Sequence, residues 1–165
     1  MNRLIARVWR LIAGPLQWRL LWFGHAKFIV GVTGIVRDRD GNVLLLRHRL
    51  WPEGRQWGLP TGYAKAGETF PDTIAREVRE ETGLTVTVGA LARLTSGYRL
   101  RAEVAYEAQH TGGELKLGSL EVLDAAWYPP GDLPAGLLPS HHALITGTPD
   151  RGPAEPPHAG PSRPG

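Results

Sequence analysis

Three glutamates stand close together in one short stretch of this chain and could bind a metal ion. Glu77, Glu80 and Glu81 are spaced i, i+3 and i+4, and on a helix this spacing places three carboxylates on one arc. Carboxylates that close repel one another unless a cation lies among them. Oxygen ligands suit Mg²⁺ or Mn²⁺, ions that also bind substrate phosphates. The spacing therefore indicates a divalent-metal site, with a solvated acidic helix face as the ordinary alternative.

The residues around the glutamates predict a single helix. Thr69 is a suitable N-cap with Asp72 three residues later, because such side chains satisfy free N–H groups in the first turn. Pro71 is tolerated in the first turn, and Gly83 is a suitable C-cap. These signals predict a helix from Phe70 to Thr82.

The stretch of residues 62–84 resembles the signature of the Nudix hydrolase family (MutT-like). It matches all nine specified positions, which are Gly62, Glu68, Arg76, Glu77, Val78, Glu80, Glu81, Gly83 and Leu84. Nine positions at fixed spacing are a specific signal, unlike a lone glycine-rich loop. The resemblance is looser over residues 28–138 and does not cover the first 25 residues or the tail.

The resemblance implies both a fold and a reaction. The fold class is α/β, a Nudix-type α/β/α sandwich with a mixed sheet. The reaction is metal-dependent hydrolysis of the diphosphate bond in a nucleoside diphosphate linked to another moiety. A nucleoside triphosphate and a nucleotide sugar or ADP-ribose both remain open as the substrate. A catalytically inactive Nudix-fold module that binds nucleotides or regulates is the alternative, although no glutamate of the motif is missing here.

The resemblance also implies the metal ligands. Glu80 and Glu81 are expected to bind Mg²⁺, with Mn²⁺ as the other candidate, and Glu77 is expected to be a ligand or the general base. Thr61 stands where family members commonly have the first glycine of a pair, and its backbone carbonyl would serve as a further ligand. A positive φ at this position would strain a threonine.

Other motif residues are expected to support the site. Arg76 and Glu68 are expected to form an internal ion pair that holds the loop against the helix. Gly62 and Gly83 are structural positions of the motif. Glu121 matches the place where the family often has a further glutamate, and is the second candidate for base or ligand.

Candidates for substrate binding lie outside the motif. Arg47 is on a strand that passes beside the catalytic helix in the family, which makes it a candidate for a substrate phosphate. A solvated arginine at a strand end is the alternative. The candidates for stacking on a base are aromatic, although aromatic residues in strands more often belong to the core; they are Trp57, Tyr63, Tyr98 and Tyr106.

Composition restricts the class of protein. A chain of 165 residues, 42% of them hydrophobic, suits one globular domain. The absence of cysteine excludes disulfides, thiolate metal sites and a cysteine nucleophile. The net charge is +3, but residues 1–50 hold nine Arg or Lys against two Asp, and the remainder holds ten against fourteen acids. The resemblance to Nudix hydrolases implies a small-molecule nucleotide substrate, and we expect no specific nucleic-acid partner.

The first 25 residues form a segment of their own. Leu4, Val8 and Leu11 recur at helical spacing opposite arginines, which predicts an amphipathic helix that Gly14 interrupts. The apolar cluster that follows is broken by Arg19 and is too short to span a bilayer. Residues 1–24 are expected to pack on their own domain or form a homodimer, or to contact a membrane peripherally; a signal anchor is the least favoured alternative. We expect a cytoplasmic protein.

The rest of the chain predicts alternating strands and helices. Residues 28–37 and 43–49 read as a hairpin, strands follow residue 83 with a break at residues 95–98, and a strand ends at Tyr128. Residues 132–138 resemble a short helix, and His141 and His142 begin a last helical fragment in which the two side chains point apart. Residues 26–146 are the expected hydrolase domain, and the Pro/Gly-rich residues 147–165 are expected to be disordered.

Overall fold

We describe the protein from a computed structural model, which describes residues 14–25, 27–98 and 100–148. Within these residues the elements in chain order are α1 (Gly14–Gly24), β1 (Ile29–Arg37), β2 (Val43–His48), β3 (Trp57–Gly58), β4 (Thr61–Tyr63), α2 (Phe70–Thr82), β5 (Leu84–Tyr98), β6 (Arg101–Gly113), β7 (Val122–Tyr128) and α3 (Pro139–Thr146). The predicted helix of residues 4–12 and the predicted disordered tail beyond residue 148 lie outside the described residues.

Seven strands form one mixed sheet in the described part of the chain. Its main order is β3-β2-β1-β6-β5, with β4 paired to β1 and β7 paired to β2. β1 runs parallel to β6, from Ile29 opposite Arg101 to Arg37 opposite Gln109. The other pairs are antiparallel. β1 therefore lies at the centre of the sheet and pairs with β4, the strand that contains Gly62, the first residue of the motif.

Each face of the sheet is covered by a helix. Successive side chains of a strand point to opposite faces, so Val32 of β1 packs with Ile74 and Val78 of α2. Ile35, from the other face of β1, packs in a second cluster with Ile145 of α3. The predicted α/β/α sandwich with a mixed sheet is confirmed.

The predicted caps fix the ends of α2. The Thr69 Oγ1 accepts a hydrogen bond from the Asp72 N–H at 3.3 Å, and Gly83 has the left-handed conformation, with φ 70°. Because Ile74 and Val78 are buried on one flank of α2, the neighbouring flank, which carries the glutamates, is turned toward β4. The helix spans Phe70–Thr82 as predicted.

Two predictions of local structure are wrong. Residues 132–138 form turns instead of a helix, because their backbone groups bond to β3: Leu138 N–H donates to the Trp57 carbonyl at 3.0 Å, and Trp57 N–H to the Gly136 carbonyl at 3.2 Å. At residues 95–98, where a break was predicted, β5 continues as far as Tyr98 opposite Arg101, and only the register of its pairing with β6 shifts between Thr95 and Tyr98. Leu100, just before β6, has φ 57°.

Candidate active site

Glu81 is the buried member of the glutamate cluster on α2. Its residue surface is 8% exposed, and its Oε2 is buried without a hydrogen-bond partner. Burial, followed by the negative charges of Glu77, Glu121 and Glu80, raises the pKa of Glu81 to about 8. A buried carboxyl group surrounded by three others is unfavourable in its ionised form, so the cluster favours a positive partner.

A loop after β6 brings Glu121 to the end of α2. Gly118 N–H donates to the Glu81 carbonyl at 3.0 Å, and Lys116 N–H donates to the Thr82 carbonyl at 2.9 Å, so the loop satisfies carbonyls that a helix end leaves free. A Cβ at Gly118 would collide with the Glu80 carbonyl oxygen. The loop then leads to Glu121, whose charge acts on Glu81.

Arg76 joins the loop before α2 to the glutamates on it. Its Nε donates to Glu68 Oε1 at 2.7 Å and its Nη2 to Glu68 Oε2 at 3.0 Å. On the other side, its Nη1 lies 2.7 Å from Glu77 Oε1 and 3.3 Å from Glu80 Oε2. The Arg76 to Glu68 ion pair predicted from the sequence is therefore present. One guanidinium also sets the positions of two candidate metal ligands.

Glu68 accepts further hydrogen bonds that hold the loop in place. Its Oε2 accepts from the Lys65 N–H at 3.2 Å and from the Thr73 hydroxyl at 2.9 Å. Hydrogen bonding to Arg76 is the main reason that the pKa of Glu68 falls to about 2, and the hydrogen bond to Glu68 in turn raises the pKa of Arg76. Both groups therefore stay ionised across the physiological range.

β4 approaches α2 so closely that any side chain at position 62 would displace Glu77. A Cβ on Gly62 would collide with the Cγ, Cδ and Oε1 of Glu77. Thr61 faces the opposite side of the sheet, where its hydroxyl donates to the Leu59 carbonyl at 3.0 Å and lies 3.1 Å from the Thr33 hydroxyl. In the described residues, Leu100 is the one non-glycine residue with a positive φ, so Thr61 carries no such strain.

The carboxylate oxygens of the glutamates on α2 suit a hard divalent cation such as Mg²⁺. The arrangement of these side chains, however, is not that of a ready-made metal site. Among residues 14–25, 27–98 and 100–148, no three His, Cys, Asp or Glu side chains form a group that could hold a metal ion as they stand. Arg76 bonds to Glu77 and Glu80 in this arrangement. The unpartnered Oε2 of Glu81 and the carboxylate chemistry fit Mg²⁺ or Mn²⁺.

The substrate-binding candidates do not gather at the glutamates. Arg47 donates to the Gln56 side chain at 3.0 and 3.1 Å, and Trp57 packs edge-on against Tyr128 in the second core cluster. Tyr106 packs against the first core cluster. These contacts support packing or surface roles, and the binding roles of Arg47, Trp57 and Tyr106 remain predictions.

Tyr63 remains the better placed candidate for base stacking among the described side chains. Tyr63 is 55% exposed, and the Arg101 guanidinium lies over its ring at 5.7 Å. Arg101 is itself held by an ion pair with Glu103. Tyr98 ends β5 opposite Arg101 in the backbone ladder, and its side chain is outside the described structure.

A cavity of about 290 Å³ on the α3 face of the sheet was not predicted from the sequence. It is lined by side chains from β1, β4, β5, β6 and α3, including Thr33, Thr61, Arg93, Arg101, Glu103 and His141. These residues come together only through the parallel pairing of β1 with β6 and the docking of α3. The one indication of this cavity in the sequence was the alternation of side chains along a strand, which turns Thr61 toward the opposite face of the sheet from Gly62.

Two buried histidines, His48 and His141, lie beside the residues that lead into β4. His141 Nδ1 accepts a hydrogen bond from the Leu59 N–H at 2.9 Å, two residues before β4. Trp51 stacks on His48 at 4.1 Å and also contacts His141. Burial lowers the pKa of each histidine to about 4. His142 is exposed whereas His141 is buried, so the prediction that the side chains of these two adjacent residues point apart is confirmed.

Comparison with known proteins gives consistent similarities. A family model described as NUDIX domain matches residues 27–146. A Mycobacterium tuberculosis (strain CDC 1551 / Oshkosh) protein named MutT4 is 40% identical over 114 residues, which are 64% of this chain and 46% of MutT4. The NAD-capped RNA hydrolase NudC of Enterobacter sp. (strain 638) is 36% identical over 104 residues, 61% of this chain and 38% of NudC.

Solved structures show the same fold. A crystal structure of a NUDIX hydrolase from Nitrosomonas europaea is similar with a TM-score of 0.65 and 22% sequence identity, over 73% of this chain and 69% of that one. Identity at this level supports the fold alone. The chain spans less than half the length of the two curated relatives named above.

Proposed function

The chain belongs to the NUDIX family, and from this premise we propose that residues 26–146 form a metal-dependent pyrophosphohydrolase. The reaction is hydrolysis of the diphosphate bond of a nucleoside diphosphate linked to another moiety. The observation that carries the proposal is Glu81, a buried carboxyl group with an unpartnered Oε2 beside three other carboxylates. A stable fold keeps such a cluster at a cost in free energy, and a bound cation would remove that cost.

The proposed metal ligands are the three glutamates on α2 and one backbone carbonyl. Glu80 and Glu81 bind Mg²⁺ or Mn²⁺, Glu77 is a third ligand or the base, and the Thr61 carbonyl is the further ligand. When bound, such a cation neutralises charge on phosphate oxygens and makes a water molecule more acidic. Its positive charge would also favour the ionised form of Glu81.

The remaining site residues position these groups and move a proton. Arg76, fixed by its two bonds to Glu68, holds Glu77 and restrains Glu80. A carboxylate oxygen of Glu121 or Glu77 accepts the proton from the attacking water. Glu121 suits this role because it is exposed and yet close enough to Glu81 to raise its pKa.

The substrate is proposed to extend from the glutamates around β4 into the cavity on the α3 face. Arg93 and Arg101 line that cavity and offer positive charge to an anionic or polar group of the substrate. Tyr63 is exposed at the same edge and can stack on a base. The names of MutT4 and NudC suggest nucleoside triphosphates and NAD-type dinucleotides as the first compounds to test.

A second candidate function is a nucleotide-binding or regulatory module without turnover. One observation favours it: Arg76 bonds to Glu77 and Glu80, so two metal ligands are engaged with a protein cation. We favour the enzyme because Arg76 contacts each of these glutamates through one oxygen, which leaves the second oxygen of each carboxylate for a metal.

One screen separates the two functions. Release of phosphate and nucleotide, and binding by titration calorimetry, are measured with nucleoside triphosphates, NAD-type dinucleotides, ADP-ribose and nucleotide sugars, in the presence of Mg²⁺, of Mn²⁺ and of chelator. The enzyme predicts metal-dependent cleavage at a diphosphate bond of at least one compound, and loss of that cleavage in Glu80→Gln. Nucleotide binding without cleavage under every metal condition would establish the binding module and refute the proposed reaction.

A further inference from the structure

Large exposed apolar side chains, most of them aromatic, lie on α1 and at the start of β1. We name this the α1 surface, and it consists of Trp18, Trp22, Phe23, Phe28 and Ile29. Trp18 is 75% exposed and Phe23 is 77% exposed. Exposed apolar residues are normal when scattered singly, but a contiguous group of large ones marks an interaction site. The α1 surface therefore needs an explanation that the hydrolase domain does not supply.

The chain segment that carries the α1 surface has charge of one sign. The first 37 residues contain six Arg or Lys and no Asp or Glu. Within the described part, Lys27 Nζ lies 5.0 Å from the centre of the Trp22 ring, so an ammonium group sits beside an exposed indole. Aromatic rings next to basic side chains are typical of segments that lie at the headgroup level of a membrane.

We infer that the α1 surface docks the protein on the interface of an anionic lipid bilayer. The apolar rings enter the boundary between headgroups and acyl chains, while Arg19 and Lys27 contact lipid phosphates. Attraction of cations to anionic lipid adds to the burial of apolar area. This inference does not depend on the proposed hydrolase activity.

The dimensions of α1 fit a helix that lies along the membrane. Its 11 residues extend about 16 Å, half of the bilayer's hydrocarbon thickness of about 30 Å. In the described part of the chain, no helix is both long enough and apolar enough to cross a membrane.

The surface continues onto the sheet. Ile29 is 60% exposed, and its N–H donates to the Leu100 carbonyl at 2.9 Å. Leu100 is itself 48% exposed and lies at the tip of the β5–β6 hairpin. The exposed apolar residues therefore continue along the chain from α1 to the start of β1 and to Leu100, so membrane contact would hold this end of the sheet near the bilayer.

Charge argues against a second copy of this chain as the occupant. A two-fold dimer apposes the same patch from both subunits, so the cation-rich segments would face one another without acids between them. A bilayer containing anionic lipid offers the opposite charge and an apolar layer together. The hydrolase domain is not the occupant, because the rings remain exposed beside it.

The test is co-sedimentation of the full chain with vesicles. Vesicles of phosphatidylcholine alone are compared with vesicles that contain phosphatidylglycerol, at low and high salt. We expect binding to the anionic vesicles, weakened by salt. The double variant Trp18→Ala/Trp22→Ala should lower the partition coefficient by about tenfold, and Arg19→Gln/Lys27→Gln by about tenfold on anionic vesicles. Leu50→Ala, an exposed leucine beyond β2, is the matched control and should bind like the parent.

Circular dichroism of each variant confirms that it is folded. Sedimentation velocity without vesicles measures its oligomeric state. Equal binding of parent and Trp18→Ala/Trp22→Ala, or no binding of the folded parent to anionic vesicles, would overturn the inference. A dimer that the double tryptophan variant dissociates, without vesicle binding by the parent, would assign the α1 surface to a second copy instead.

Discussion

Replacing Gly62 by alanine tests whether the position of Glu77 matters for turnover. The new Cβ would collide with three atoms of Glu77, its Cγ, Cδ and Oε1. Since carbon atoms pack at about 3.5 Å, these atoms must retreat by at least about 1 Å. The Glu77 side chain is flexible, so it should swing away and leave the backbone of β4 in place.

The expected effect is large on catalysis and small on stability. A displacement of about 1 Å in a catalytic group can lower turnover about a hundredfold. The variant loses the 2.7 Å bond between Arg76 and Glu77, worth about 1 kcal/mol. Gly62 has no positive φ, so alanine stabilises relative to the unfolded chain by about 0.5 kcal/mol. The net change in unfolding free energy should stay within about 1 kcal/mol.

The assay pairs metal-dependent turnover on the best substrate of the screen with unfolding in urea. Gly89→Ala on β5 is the matched control, because its Cβ would lie 3.5 Å from the nearest atom, an ordinary contact, and it should alter neither quantity much. If Gly62→Ala retained turnover within about threefold of the parent, Glu77 would not need its present position, and its role as ligand or base would be refuted.

Two further predictions concern the groups that support the site. Glu68→Gln removes the charge that holds Arg76 and should lower turnover about tenfold with a reduced melting temperature, whereas the exposed Glu53→Gln should change neither. For His48 and His141, burial places the folded pKa at about 4, below the unfolded value of 6.5, so the unfolded state binds more protons between these values. The contribution of these histidines to stability should therefore be complete above pH 6.5 and fall by about 3 kcal/mol for each histidine as the pH approaches 4. Glu81, with its pKa raised to about 8, contributes in the opposite direction, so the histidine contribution is measured as the difference between the parent and His48→Phe in urea unfolding from pH 7 to 4. An equal pH dependence in parent and variant would refute the assignment.

The parts of the fold that were predictable are those determined locally. Thr69 and Gly83 cap α2 through hydrogen bonds to residues within four positions, so its bounds follow from nearby side chains alone. The hairpin of β1 and β2 similarly follows from a turn between a β-branched run and a leucine-rich run. By contrast, residues 132–138 bond to Trp57 across the chain, and no nearby residue reveals that partner.

The candidate site likewise has parts that the local sequence determines and parts that depend on distant contacts. The glutamates of α2 could be predicted because helical spacing alone brings them together. The proximity of Glu121 to Glu81 depends on the loop that Gly118 allows to pass beside α2, and only the family resemblance indicated it. The cavity that His141 and Arg93 line could not be predicted, because its walls come from strands whose pairing is not local.

Substitution of Glu81 tests the proposed metal site most directly. Binding of Mg²⁺ and Mn²⁺ is measured by titration calorimetry on the parent and on Glu81→Gln, together with turnover of the best substrate. The parent should bind metal and hydrolyse the diphosphate, while the folded variant should lose metal-dependent turnover by at least about a hundredfold. Metal affinity equal to that of the parent, with turnover within about tenfold, would contradict the assignment of the buried Glu81 carboxylate as a metal ligand.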